Sequence, residues 1–176
     1  MGEDELVIRA ARGDEAAFRT IWHRHRDAVY RFAAWMLREP SAAEDVTQDT
    51  FLALLQEPGR YNAQTGSLRT FLFAIARNVC RNKLRKLRPE EDLEFDGQSP
   101  GSDSLSSLLA AESDEALRSA IALLPALQRE VLFLFEFEEL SLVDVATVLQ
   151  VDPNAVKGRL HRARQRLRKD LSWMKT

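Results

Sequence analysis

The chain has 176 residues, 45% hydrophobic and 30% charged, with 25 Lys or Arg against 27 Asp or Glu. Such a composition suits one medium or two small soluble domains, and it excludes a chain too polar to bury a core. No apolar run approaches the ~20 residues of a membrane span. The opening "MGEDELVIRAARGDEAAF" lacks the basic and apolar regions of a signal peptide, so a cytoplasmic protein with no membrane insertion is expected. Cys80 is the only cysteine, which excludes an internal disulfide and a cysteine-rich zinc site. His23 and His25, two apart, point to different sides of a helix and are expected to be solvated, so no metal is expected. With no phosphate-binding glycine loop, catalytic triad or metal cluster, the chain is read as having no cofactor and as not being an enzyme.

The small net charge of −2 hides three blocks. Residues 1–88 hold 15 basic and 11 acidic residues, residues 89–116 hold nine acids and no base, and residues 117–176 hold 10 basic and seven acidic residues. The N-terminal block reads as helices throughout. Asp14 can cap a helix whose apolar stripe is Phe18, Ile21, Trp22, Val29, Phe32 and Met36. Pro40 is expected to end it, and Ser41 with Glu44 to form the capping box of the next helix. That helix buries Val46, Phe51, Leu54 and Leu55. Its other face carries Asp45, Gln48, Asp49 and Leu52, at i, i+3, i+4 and i+7. The loop "EPGRYNAQTGS" follows. Ser67 then starts a helix expected to bury Leu68, Phe71 or Leu72, Ile75 and Val79. Its C-terminal half carries Arg77, Arg81, Lys83, Arg85, Lys86 and Arg88. A helix dipole favours cations there, but so many, with no acid from Arg69 to Arg88, point to nucleic acid.

Residues 89–104, rich in Gly, Ser, Pro and acid, read as an extended linker in a two-domain chain. The linker is either a solubilising spacer or an acidic segment lying in a basic channel of a partner. Ser113 can cap a helix through Leu123. Pro125 suits the first turn of another, with Leu127, Val131, Leu132 and Phe135 inward. Ser141 and Asp144 open a short helix with Val145, Ala146 and Leu149. After the turn "QVD", Asp152 caps and Pro153 begins a basic helix, which together fit a helix-turn-helix. On that last helix Val156, Leu160, Ala163 and Leu167 share one face, within about 60° at ~100° per residue. The opposite face shows Asn154, Lys157, Gly158, His161, Arg162 and Gln165, flanked by Arg159, Arg164, Arg166, Arg168 and Lys169. Polar groups near the N-terminus can reach base edges while flanking cations neutralise phosphate. A coiled-coil seam would need more heptads, and acids to pair with these cations.

These segments carry a family resemblance. "AEDVTQDTFLALL" at 43–55, "LRTFLFAIARNVCRNKLRK" at 68–86, "LPALQREVLFL" at 124–134 and "LSLVDVATVLQVDPNAVKGRLHRARQRLR" at 140–168 resemble, in this order, a group 4 (extracytoplasmic-function, ECF) sigma factor of bacterial RNA polymerase. The resemblance implies an all-α fold of two small helical domains, 1–88 and 113–176, joined by a flexible acidic linker at 89–112. It implies that Asp45, Gln48, Asp49 and Leu52 dock on the clamp helices of the polymerase's largest subunit. Tyr61, Asn62, Gln64 and Thr65 would capture a base flipped from the −10 element, with Asn78 facing the non-template strand. Arg77, Arg81, Lys83 and Arg85 would hold phosphate nearby. Asn154, Lys157, Gly158, Arg159, His161, Arg162, Arg164 and Arg166 would serve −35 recognition, while the apolar surface of the same domain meets the flap of the second-largest subunit. The linker would thread toward the active centre and RNA exit channel. An anti-sigma factor would wedge between the domains, and Trp173 and Met174 could add contact or be a frayed end.

Some positions depart from the family pattern. Asn154-Ala155-Val156 stands where Gly-Thr-Val is common, Gly158 where Ser is common, Phe71 where Trp is frequent, and Glu139 where Gly is frequent. The first two bear on −35 base preference. A stand-alone helix-turn-helix regulator would account for residues 117–176 but not 1–88. A sigma mimic that only sequesters an anti-sigma factor would be expected to lose its DNA-contacting cations, which this chain keeps.

Overall fold

A computed structural model describes residues 1–97 and 113–172, with no strand among them. The readings placed on Ser113's side chain, on 98–112 and on Trp173 and Met174 lie outside the described residues.

The N-terminal unit is four helices: α1 Glu3–Ala11, α2 Glu15–Leu37, α3 Pro40–Gln56 and α4 Leu68–Leu87. Asp14 caps α2 as expected, accepting from the Ala17 N–H at 3.1 Å. That bond first, and then Arg9 at 2.8 Å, hold its carboxyl below the usual carboxylate range. The α2/α3 junction differs from the expectation. α2 stops at Leu37 because Arg38 adopts a left-handed conformation (φ 58°), and Pro40 is the first residue of α3. A proline there gives up an N–H that has no helical partner anyway. Ser41 therefore lies inside the helix and donates to Glu39 at 2.9 Å instead of capping.

Two further expectations shift. α4 buries Leu68, Leu72, Phe73, Ala76, Arg77, Cys80 and Leu84, while Phe71, Ile75 and Val79 are only half-buried. The inward stripe is rotated toward Phe73 and Arg77 because α4 is covered on a second side by the C-terminal unit. His25 is buried, not solvated, with Nε2 2.8 Å from Glu3 Oε1, which ties α1 to α2. His23 is exposed.

The C-terminal unit comprises α5 Ser113–Ala122, α6 Ala126–Leu132, α7 Leu142–Leu149 and α8 Pro153–Asp170. α6 widens into a π turn, Phe133–Phe137, and the chain then reverses through Glu139 at φ 55°. That left-handed backbone explains why a glycine would be at home where Glu139 stands. Ser141 caps α7, accepting from Asp144 N–H at 3.1 Å. Gln150 (φ 56°) makes the turn, and Asp152 caps α8, accepting from Asn154 N–H at 2.7 Å, with Pro153 first in the helix. Val156, Leu160 and Ala163 are buried and Leu167 partly so, which is the predicted packing face.

The units share one core. Phe32 of α2 lies 5.8 Å from Phe73 of α4 and 5.7 Å from Phe133 of the C-terminal unit, ring centre to ring centre. Trp35 lies 5.9 Å from Phe133 and 5.0 Å from Phe137. Each buried aromatic contributes on the order of 1.5–3 kcal/mol relative to exposure. α7 lies along α4. Residues 89–97 are non-helical, as read, but they do not run free: Leu93 is only 6% exposed and packs into the same core.

Candidate polymerase and nucleic-acid interfaces

The outer face of α3 presents the four residues expected to dock. Asp45, Gln48 and Asp49 are all exposed, and Leu52, one turn beyond Gln48 and Asp49, is 52% exposed. Helical spacing sets them side by side while Val46, Phe51 and Leu54 turn inward. Lys83 of α4 reaches Asp45 at 3.4 Å, which leaves Gln48 and Asp49 open. An exposed apolar residue on a face that carries two carboxylates suits a basic partner, which the carboxylates would steer electrostatically.

The predicted −10 residues divide into two sets. Asn62, Gln64 and Thr65 are exposed on the α3–α4 loop. The loop is shaped by the Asn62 side chain, which accepts from Gln64 N–H at 2.9 Å, and by the Thr65 hydroxyl, which donates to the Asn62 carbonyl at 2.9 Å. Tyr61 is half-buried against Phe71, ring centres 5.6 Å apart. Burial pushes its phenol up. A small cavity of about 70 Å³ sits behind the loop, lined by Tyr61, Asn62, Thr70 and Phe71, with Thr147 of α7 forming one wall. Asn78 and Arg85 are exposed, and Lys83 is half-buried.

Arg77 and Arg81 are placed otherwise than the reading of a free basic patch expects. Arg77 is 9% exposed and forms a two-pronged ion pair with Glu130 of α6, Nε at 2.9 Å and Nη2 at 3.0 Å. A guanidinium fork matches a carboxylate in this way. Arg81 is mostly buried and pairs with Glu94. Its guanidinium is shifted down, first by burial and then by Arg77. These two cations face the C-terminal unit and the 89–97 segment, not solvent.

α8 presents Asn154, Lys157 and His161 to solvent, in line with the expected reading face. Arg162 lies over Gly158. A β-carbon at Gly158 would stand 3.2 Å from Arg162 Nη1, so a larger residue there would push the guanidinium aside by a few tenths of an ångström. Arg162 pairs with Asp96, and that hydrogen bond holds its guanidinium above the usual range. Arg159 is drawn inward toward Asp96 (3.7 Å) and Glu130 (3.9 Å). Arg164 pairs with Glu136, and Arg166 approaches Asp170 at 3.7 Å and is mostly buried.

Several residues at this seam were not singled out in the sequence. Glu130 is fully buried and Arg129 nearly so. Arg129 Nη1 donates to the Leu124 carbonyl at 2.8 Å, and Nη2 to the Met36 carbonyl at 3.2 Å and Glu91 at 3.1 Å. Burial is the main reason its guanidinium is shifted down. Glu138, also buried, receives Arg31 at 3.1 Å and Arg69. The available signal was α6 itself: the residues three and four away from Arg129 and Glu130 are all apolar, which leaves α6 without a continuous polar stripe.

Comparison with known proteins bears directly on this arrangement. Residues 21–90 match Sigma-70 region 2, and residues 114–167 match Sigma-70, region 4. The RNA polymerase sigma-H factor of Pseudomonas aeruginosa is 31% identical over 96% of this chain and 93% of its own length. The ECF RNA polymerase sigma factor SigW of Bacillus subtilis is 28% identical over 94% of each chain. Among solved structures, CnrH in complex with the cytosolic domain of CnrY superposes with a TM-score of 0.72 and 26% identity, covering 97% of both chains. With both matched regions in order and a relative above 30% identity along nearly the full length, the chain belongs to the ECF sigma factors of the sigma-70 family.

Proposed function

We propose that the chain is a promoter-specificity subunit whose α3 face docks on core RNA polymerase and whose α8 reads the −35 element. The chemistry belongs to the polymerase, and the chain supplies placement. The observation that carries this reading is the division of surface chemistry along one chain. An exposed face of Asp45, Gln48, Asp49 and Leu52 lies on α3, exposed amides and a hydroxyl on the loop before α4 with Asn78, Arg85 and Lys86 exposed on α4 itself, and a capped helix-turn-helix ends in α8. Asp45, Gln48, Asp49 and Leu52 meet the clamp helices of the largest subunit. Tyr61, Asn62, Gln64, Thr65 and Asn78 meet an unpaired −10 strand by stacking and amide hydrogen bonds. Lys157 and His161, with Arg162, reach −35 base edges, and Arg159, Arg164 and Arg168 hold phosphate, whereas Arg166 is turned away against Asp170. The apolar surface of the C-terminal unit meets the flap of the second-largest subunit. This surface is where Phe133 and Phe137 pack against Trp35 in the closed chain, so flap binding exchanges one apolar partner for another.

An anti-sigma partner is part of the same reading, supported by the likeness to CnrH, which was solved bound to the cytosolic domain of CnrY. The work is carried out in the cytoplasm. No helix among the described residues is long and apolar enough to cross a membrane. Co-purification with core polymerase tests the docking half. The wild-type chain is expected to be retained, and Asp45→Lys with Asp49→Lys to lose at least tenfold in affinity while keeping its helical circular dichroism. Retention of the charge-reversed chain at wild-type affinity would remove the α3 assignment.

A further inference from the structure

The acids of residues 91–96 are not spread at random over the surface. Glu91 accepts from Arg129 at 3.1 Å and lies 3.8 Å from Arg88 and 3.9 Å from Arg38. Glu94 pairs with Arg81 of α4. Asp96 accepts from Arg162 Nε at 3.3 Å and also from Arg162 Nη2, lies 3.7 Å from Arg159, and accepts from Gln128 at 3.4 Å. Leu93, buried between these acids, anchors the segment to the core. Short turn bonds from Glu91 N–H to Arg88 O (3.1 Å) and Phe95 N–H to Asp92 O (3.2 Å) fix the strap's shape. Its carboxylates thus sit on cations of both α4 and α8, as phosphates of a nucleic acid strand would.

We propose that residues 91–96 form an intramolecular strap in which Asp96 competes with DNA for Arg159 and Arg162 of α8. The proposal rests on the reading of α8 as the −35 helix. The strap leaves the α3 face open, since Gln48, Asp49 and Leu52 stay exposed. Polymerase can therefore engage the closed chain first, and DNA displaces Asp96 afterwards. DNA binding by the free chain is weakened by the fraction of molecules in which the arginines are occupied.

The test uses the full chain and three versions of it: wild type, Asp96→Asn, and Glu90→Gln. Glu90 is exposed in the same segment and makes no ion pair among the described residues, so its variant carries the same change in net charge. Two readouts are taken: hydrogen exchange of the 91–97 amides, and binding to a labelled promoter duplex by anisotropy at about 0.1 M salt. Asp96→Asn is expected to speed exchange across the strap and to tighten DNA binding about five- to tenfold. Glu90→Gln is expected to leave exchange unchanged and binding within about twofold. Equal shifts for the two variants, or an unchanged strap in Asp96→Asn, overturn the strap and leave the −35 reading intact. A loosened strap with no duplex binding by any of the three chains overturns the inhibitory role together with the reading of α8.

Discussion

The pair between Arg77 and Glu130 is the sharpest energetic statement in this fold, because it joins α4 to α6 across the seam and neither side chain has much access to water. The carboxylate side chain is 1% exposed and the guanidinium 11%, with two N–H···O bonds of 2.9 and 3.0 Å. Removing one partner leaves a buried charge without compensation, which costs about 3–5 kcal/mol. Removing both and filling the space with apolar side chains costs far less. Arg159, 3.9 Å from Glu130, remains to share that charge when only Arg77 is lost. Arg77→Leu should therefore fall at the low end of the range and Glu130→Leu at the high end. Urea denaturation followed by far-ultraviolet circular dichroism on the wild type, both single variants and the double variant gives the cycle. A coupling of about 2–4 kcal/mol is expected, with the double variant more stable than Glu130→Leu. Single losses below about 1 kcal/mol that simply add would show that the pair is not formed in solution and that the seam is open.

Other variants test separate parts of the structure. Leu160→Ala removes a buried side chain between α8 and its unit and should cost about 2–5 kcal/mol by urea denaturation. Glu139→Gly relieves a left-handed residue at φ 55° and should raise stability by about 0.5–1 kcal/mol, net of the added freedom of the unfolded chain. Asp14 has its folded-state carboxyl lowered, chiefly by the Ala17 N–H. Its contribution is therefore present above the ordinary aspartate value of about 4 and is lost as pH falls through the lower folded value. The stability difference between wild type and Asp14→Asn should be constant at pH 6–7 and shrink below about pH 4.

Much of this fold was legible because local chemistry and packing agree. Asp14, Ser67, Ser141 and Asp152 all cap the helices expected of them. The α8 stripe of Val156, Leu160 and Ala163 is buried as its spacing implies. The α3 stretch from Asp45 to Leu52 is exposed for the same reason. The readings that shifted are those decided by the other unit. Arg77 looked like part of a free basic patch because the sequence of α4 does not show that α6 will bring Glu130 against it. The α4 stripe was placed on Ile75 and Val79, yet Phe73 and Ala76 go inward because α4 is covered on two sides. His25 looked solvated until α1 brought Glu3 to it. Ser41 carries a capping signature, but Pro40, fixed near helical φ, starts the helix two residues earlier, with Glu39 at the cap position. For the 89–97 segment, composition read correctly as non-helical but could not show that Leu93 would be buried or that its acids would meet Arg81 and Arg162.

The most direct test of the central claim is reconstituted transcription with purified core polymerase, a panel of promoter fragments, and either the wild-type chain or Arg162→Glu. The account predicts transcripts that depend on the wild-type chain, start at a fixed distance from one −35/−10 pair, and are lost with Arg162→Glu while that variant still binds core polymerase. Transcription unchanged by adding the chain, or equal output from the wild type and the variant, would contradict it.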